Sequence, residues 1–295
     1  MGENPAHGCK ATIEERMKPG ATRRRRSPLN QLRPRKSLGQ HFLKDDNIAR
    51  KIIRALAPDP GDTIVEIGPG VGALTKHLAG TVRRLVAVEL DARAVVFLRH
   101  LVQDPTVEIV QGDFLKTDLG TLAGPEGQST QLRVIGNIPY NITTPIVFHL
   151  LEHRLFVRDA ILMMQREVAR RLIALPGNKD YGILSVQCQI FADVQLLFDV
   201  APTAFIPPPN VMSSVVRLAM LPAARVPLGD EAFFRAMVRS VFGKRRKTLR
   251  KSLQYFGKER GMVIPELPDL HRRPEELSLE ELVHLSDALR MHAGQ

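Results

Sequence analysis

From about residue 47 the chain alternates between blocks with helical spacing of apolar positions and short, nearly continuous apolar runs. NIARKIIRAL carries its apolar residues at helical spacing and ends at Pro58-Asp59-Pro60-Gly61, a helix breaker. DTIVEIG is a β-branched run, GALTKHLAG a helix closed by Gly80, LVAVEL a strand and DARAVVFLRHL a helix. VEIV and LRVIG follow as strands, TPIVFHLL as a helix and AILMMQ as a strand. VARRLIAL and ILSVQCQIF are two more helices, and VQLLFDV and SSVVRLAM two strands separated by APTAFIPPPN. Alternation of this kind predicts an α/β fold with a doubly wound, mostly parallel sheet. The last two strands have no helix between them, so one of them should be an antiparallel hairpin partner.

After Pro222 the pattern becomes purely helical. DEAFFRAMVRSVF, the basic segment GKRRKTLRKSL and SLEELVHLSDAL all carry helical patterns, the last opening with a capping box at Ser278 and Glu281. The expected organisation is a disordered basic tail over 1–36, an α/β domain over 37–222 and a small all-helical domain over 223–295.

Charge sharpens this division. Of the net +11, residues 1–36 carry +7 and the remaining chain only +4. The tail, with Arg23–Arg26 in a row and little apolar content, has too little to bury to offset the entropy of ordering. It reads either as a solubilising extension or as a phosphate-binding arm, and its acids Glu3, Glu14 and Glu15 argue against a transit peptide. The second cluster, Lys244, Arg245, Arg246, Lys247, Arg250 and Lys251, contains no acid and follows an amphipathic segment that would fix it to a folded domain. A docked basic face is the better nucleic-acid candidate. No apolar stretch reaches the ~20 residues of a membrane span, and no signal peptide is evident. The two cysteines, Cys9 and Cys188, provide neither a disulfide framework nor a metal cluster, so a cytoplasmic protein without metal or membrane is expected.

Candidate chemistry gathers at the ends of successive strands. In VEIGPGVGALT, Gly68, Gly70 and Gly72 allow a tight turn and close approach of backbone to a ligand. Glu89 ends the next strand and can accept both ribose hydroxyls of an adenosine; Asp113, after the third, can accept from an adenine amino group. The looser GxGxG spacing suits a ligand without a pyrophosphate, which favours S-adenosylmethionine over NAD. At the end of the fourth strand stands Asn137-Ile138-Pro139-Tyr140. It resembles the Asn-Pro-Pro-Tyr type motif of amino-group methyltransferases. The Asn137 side-chain carbonyl and the Ile138 backbone carbonyl can accept the two N–H hydrogens of an adenine amine, concentrating its lone pair. Pro139 stiffens the backbone, and Tyr140 offers a stacking face for a flipped base. Asp118 and Asp180 read as loop acids, His149 as a packed helix residue, and Met163, Met164 and Cys188 as core.

With these residues in place, the chain from about Ser37 to Leu289 closely resembles the small-subunit (16S) ribosomal RNA adenine N6,N6-dimethyltransferases, the KsgA family. SLGQHFL resembles the family's Gly-Gln-Asn-Phe-Leu motif, with His41 in place of the usual Asn. VEIGPGVGALT, the acid of VEL, QGDF, GNIPYNITTPI, FIPPPNVMSSVVRL and FGKRRKTLRKSL follow in family order. The resemblance implies a Rossmann-like methyltransferase sheet and transfer of four methyls from S-adenosylmethionine to two adjacent adenosines. These lie in the hairpin near the 3′ end of 16S rRNA, in a late pre-30S particle. It implies cofactor positions at His41, Leu43, Gly68, Gly70, Glu89, Asp113 and Asn137. It places the target base against Asn137, Ile138, Pro139 and Tyr140, with Phe205 as a second stacking face. A monomer is expected. Two rivals share the core motifs: a 23S rRNA adenine methyltransferase, and an assembly factor that binds without catalysis. The basic segment and helical C-terminus argue against the first. Intact Gly68, Glu89 and Asn137 argue against the second.

Overall fold

The computed structural model describes Met1, Leu32, Pro34, Arg35 and residues 38–124, 131–244 and 247–293. It opens with a two-residue strand β1 (Phe42–Leu43) and helix α1 (Asp46–Leu56), whose first turn is capped by the Asp45 carboxylate accepting from the N–H groups of Asn47 and Ile48. Three parallel strands follow, β2 (Thr63–Ile67), β3 (Arg84–Glu89) and β4 (Val107–Gln111), joined through α2 (Thr75–Leu78) and α3 (Ala92–Leu101). Only one turn of the expected GALTKHLAG helix forms. The glycine turn before it, with Gly72 at φ +75°, and Gly80 at φ +71° after it leave room for no more.

A short α4 (Leu119–Ala123) leads to β5 (Leu132–Asn137), α5 (Thr143–Glu152) and β6 (Val157–Gln165). Helices α6 (Arg166–Ile173) and α7 (Ile183–Phe191), then β7 (Ala192–Val200), the two-residue β8 (Phe205–Ile206) and β9 (Ser213–Met220) complete the sheet region. The seven-stranded sheet runs in the order β4-β3-β2-β5-β6-β9-β7. Its first five strands are parallel, and β9 lies antiparallel to both β6 and β7. The order reverses between β2 and β5, the position at which open α/β sheets leave a crevice beyond the carboxyl ends of their strands. β1 and β8 form a separate antiparallel pair, Phe42 opposite Ile206 and Leu43 opposite Phe205, which ties the entry segment to the loop before β9.

The chain ends in α8 (Glu231–Phe242), α9 (Leu249–Arg260) and α10 (Leu279–Ala293). The capping box at α10 is present: the Glu281 N–H donates to Ser278 Oγ at 3.2 Å, and the Ser278 N–H to Glu281 Oε2 at 2.7 Å. The basic segment is helical only from Leu249, because Gly243 terminates α8 and its N–H returns to the Arg239 carbonyl. Apolar side chains of β2, β5, β6 and α5 pack continuously through α7 into Phe234, Met237, Val238 and Leu253 of the C-terminal helices. At that junction the guanidiniums of Arg154 and Arg235 each stand 4.5 Å from the Phe191 ring, and both bond to Glu231. Met163, Met164 and Cys188 are fully buried in the core, as expected.

The far end of the sheet holds a buried ion cluster. Arg133, on β5, bonds Asp159 at 2.7 and 2.8 Å and Asp62 at 3.0 Å, and also donates to the carbonyls of Leu56 and Ala57 at the end of α1. The two carboxylates and the two carbonyls together accept from all three nitrogens of this guanidinium, offsetting the water that burial strips away. One residue assigned to the basic tail belongs to the folded body. Leu32 is 5% exposed and packs with Phe42, Val71 and Ala94, since a lone leucine near an apolar recess gains by docking there. Residues 2–31, with the arginine run and Cys9, lie outside the described residues, as do Arg245 and Arg246.

Candidate active site

A cleft of about 910 Å³, open to solvent at its mouth, lies at the carboxyl ends of β2, β3, β4 and β5. Residues 38–42 form one wall, the glycine turn and Glu89–Leu90 the floor, Gly112–Phe114 one end, and 137–142 the other. Two of the three positive-φ glycines of this turn, Gly68 and Gly70, face the cleft and its wall. Gly68 takes φ +60° and a Cβ there would meet nothing within 4 Å, so its backbone faces open space in the cleft. Gly70, at φ +57°, sits under Phe42: a Cβ would come within 2.9 Å of that ring.

Glu89 is held rather than free to wander. Its Oε2 accepts from the Gly70 N–H at 2.9 Å and its Oε1 from the Asp91 N–H at 2.8 Å. Burial pushes its carboxyl above the ordinary range against the pull of those N–H groups. Each carboxylate oxygen has a second lone pair, so the arrangement can still accept a pair of vicinal hydroxyls. Asp91 beside it is held below the ordinary range by the Arg93 guanidinium. Asp113 caps the turn Phe114–Lys116 through Oδ1, which accepts from the Leu115 N–H at 3.0 Å.

At the other end, Asn137 closes β5. Its Nδ2 donates to the His41 carbonyl at 2.8 Å, and a carbonyl can only accept, so the amide is oriented with Oδ1 on its other side. No hydrogen bond to that oxygen forms among the described residues. The Ile138 N–H is anchored to the Met163 carbonyl at 2.9 Å, and its side chain is buried, which fixes the carbonyl beside Asn137. Tyr140 bonds Ser213 Oγ through its hydroxyl at 2.7 Å, and burial pushes its phenol above the ordinary value. The His41 ring stacks on Tyr140, centroids 5.5 Å apart and planes 25° from parallel.

The cleft therefore brings together His41, Gly68, Gly70, Glu89, Asp113, Asn137, Ile138, Pro139 and Tyr140. Two expected site residues are elsewhere. Phe205 is 1% exposed and lies with Leu43 in the core beneath α1, because the β1–β8 pairing turns both inward; its ring offers no face to a base in this conformation. Leu43 reaches only a side recess of the cleft, between Phe42 and Leu74. Of the basic cluster, Lys244, Lys247 and Lys251 are exposed. Arg250 is committed to Glu266 through bonds of 2.8 and 2.9 Å.

One residue escaped the sequence reading. Glu66 lies on β2 with its side chain 2% exposed in that same recess, beside Gly68 and Asn137. Its Oε2 accepts from Thr75 Oγ1 at 2.7 Å. Burial, with a smaller contribution from the Glu89 charge, pushes it up to about 7. The available signal was an acid inside an otherwise apolar strand, since acids are almost never fully buried without a purpose or a partner. His149, by contrast, packs edge-on to Phe114 and bonds the Thr117 carbonyl, as a structural residue would.

Residues 31–266 match the family model described as ribosomal RNA adenine dimethylase. The chain belongs to that family. It is a methyltransferase, and S-adenosylmethionine is the methyl donor. It is 46% identical to the ribosomal RNA small subunit methyltransferase A of Chlorobium phaeobacteroides (strain BS1) over 256 residues, 87% of this chain and 94% of that one. It is 47% identical to the protein of the same name from Aromatoleum aromaticum, over 77% of this chain and 83% of that one. Among solved structures, a dimethyladenosine transferase from Plasmodium falciparum aligns with a TM-score of 0.70 at 24% identity, covering 85% of this chain and 98% of the other. The 23S rRNA methyltransferase ErmE aligns at 0.59, also with 24% identity, over 84% and 99%. Both share the fold. No helix among the described residues is long and apolar enough to cross a membrane.

Proposed function

We propose that this family member methylates the N6 nitrogens of two adjacent adenosines in the 3′-terminal hairpin of 16S rRNA, placing two methyls on each, within a late small-subunit precursor in the cytoplasm. The observation that carries this reading is the Asn137 amide, fixed by its bond to the His41 carbonyl with its own oxygen unpartnered among the described residues, next in the chain to the anchored Ile138. Two acceptors on neighbouring residues, the Asn137 side-chain carbonyl and the Ile138 backbone carbonyl, would fit the two hydrogens of an exocyclic amine. The name borne by relatives at 46% and 47% identity supports the small subunit over the large one as the substrate.

The residues divide the work along the cleft. The Gly68–Gly70 backbone and Glu89 would hold the donor's ribose side, and Asp113 its adenine amino group. The open space over Gly68 and the acid at each end fit such a group. When bound, S-adenosylmethionine supplies an electrophilic methyl on a sulfonium centre. Asn137 Oδ1 and the Ile138 carbonyl orient the target amine and draw its lone pair out of conjugation with the ring. Pro139 stiffens their backbone, and Tyr140 stacks on the flipped base. An amine turns strongly acidic once alkylated, so positioning rather than a general base carries the rate. Lys244, Lys247 and Lys251 would face RNA phosphates, with Arg250 reserved for Glu266.

The test is tritiated methyl transfer onto unmethylated small-subunit particles, with product nucleosides separated by chromatography. Dimethyladenosine approaching four methyls per particle is expected. Particle binding with no transfer would instead identify an assembly factor that kept the fold without the chemistry.

A further inference from the structure

Helix α9 buries one face and exposes another whose composition a phosphate grip alone does not explain. Leu249, Leu253 and Phe256 are buried in the continuous core. Lys251, Tyr255 and Lys258 lie on the opposite, exposed side, at spacings of four and three residues that set them along one strip. The turn before the helix extends that strip: the Lys247 N–H donates to the Lys244 carbonyl at 2.7 Å, which holds both of these exposed lysines at the same end. From Lys244 to Lys258 the sequence has no acid, and the first, Glu259, comes one turn beyond Tyr255. The N–H groups of Leu249 and Arg250, which open α9, donate to the carbonyls of Arg272 at 2.8 Å and Leu270 at 2.9 Å. Contact with an anion therefore falls to the side chains.

Tyr255 is the exception in this strip of cations. Its ring is 44% exposed, and the Lys244 ammonium stands 5.2 Å from the ring centroid, within reach of a cation–π attraction. We infer that Tyr255 is a stacking platform for an unpaired nucleotide of the RNA, whose phosphates lie on Lys244, Lys247 and Lys251. A nucleotide couples a flat base to an anionic phosphate, and the Tyr255 ring beside Lys244 presents the complementary pair, a flat face and a cation. Bases inside a duplex have both faces covered by their neighbours and offer a protein only edges and backbone. The platform thus selects a loop, bulge or strand end over helical RNA.

The inference rests on the proposed action on ribosomal RNA, and the experiment keeps the two apart. The chain has no tryptophan, so Tyr255→Trp places a single emitter at the platform. This full-length variant is titrated with a short oligoadenylate and with a blunt RNA duplex of the same length; the single strand should quench the emission at saturation and the duplex should not. Affinities of wild type, Tyr255→Ala, Tyr255→Phe and Lys251→Gln for both RNAs are then measured across a salt series. Tyr255→Ala should weaken single-strand binding about tenfold, the loss of one stacked base, leave duplex binding within twofold and keep the salt slope. Tyr255→Phe should stay within twofold of wild type, whereas Lys251→Gln should weaken both RNAs and lower the slope. The affinity of Tyr255→Ala for unmethylated small-subunit particles should fall as it does for the single strand. Emission unchanged at saturation, equal losses for single strand and duplex, or an unchanged particle affinity would overturn the inference. A Phe variant as weak as the Ala one would replace stacking by a hydroxyl–phosphate contact and overturn it too. So would a loss confined to particles, which would mark a protein partner in place of RNA. If wild type transfers no methyl while these comparisons hold, the proposed reaction falls and the platform stands.

Discussion

Replacing Glu66 by Gln should stabilise the ligand-free protein at pH 8, and only about a quarter as much at pH 5. Glu66 is buried beside a second buried acid, Glu89, and its carboxyl sits at about 7 instead of the ordinary 4.5. Folded chain therefore binds this proton more tightly than unfolded chain. The stability that follows is fully present below pH 4.5 and is lost as pH rises through 7. A displacement from 4.5 to about 7 corresponds to roughly 3 kcal/mol, an upper bound because the buried pair can relax or admit water. Gln is the neutral isostere: it can still accept from Thr75 Oγ1 but has no charge to desolvate. For a chain of this size the difference amounts to roughly 5–10 °C in Tm. Thermal unfolding of both proteins from pH 5 to 8.5, without donor, gives the variant-minus-wild-type difference directly. It should grow from a small value at pH 5 to several degrees at pH 8, with half of the rise complete near pH 6, midway between the unfolded and folded values. A flat difference would show that Glu66 does not change its charge across this range, and the reasoning from burial would be wrong.

Asn137→Ala should keep donor affinity within a few-fold, by calorimetry, while methyl transfer falls at least a hundredfold; near-normal transfer would remove the amide from the chemistry. Arg133→Met leaves the buried Asp159 and Asp62 with only the part-exposed Arg217 and Arg158 as partners and frees the carbonyls ending α1, so denaturant unfolding should show a loss of roughly 3 kcal/mol. Changing Lys244, Lys247 and Lys251 together to Gln should flatten the log–log salt dependence of particle binding by roughly two to three. An unchanged slope would move the RNA contact elsewhere on the surface. Tyr140→Phe should cost little in transfer, since it removes only the Ser213 bond, whereas Tyr140→Ala should raise the KM for particles severalfold.

The strand ends were legible because their chemistry is local. Gly68, Glu89, Asp113 and Asn137 each close or follow a β-branched run, and parallel strands bring such positions to one edge by construction. The α8 boundary and the α10 capping box were equally readable from short-range signals. What the sequence hid depends on pairings distant along the chain. Phe205 turns inward only because β8 meets β1 more than 160 positions away. The stacking of His41 on Tyr140 and the docking of Leu32 on Ala94 have the same origin. The full helix expected after Gly72 fails for the opposite reason, since the glycines that shape the turn also limit what can follow it.

The packing that runs unbroken from the sheet through Phe191 into α8 and α9 makes the molecule a gauge of fixed length. The span between the exposed lysines that would grip the particle and the cleft that would receive a base is set by packed core. Two neighbouring nucleotides cannot then be reached by flexing the enzyme. The RNA must advance by one residue under a stationary tool, and the mobility of the hairpin, more than that of the protein, would set the interval between the first modified nucleotide and the second.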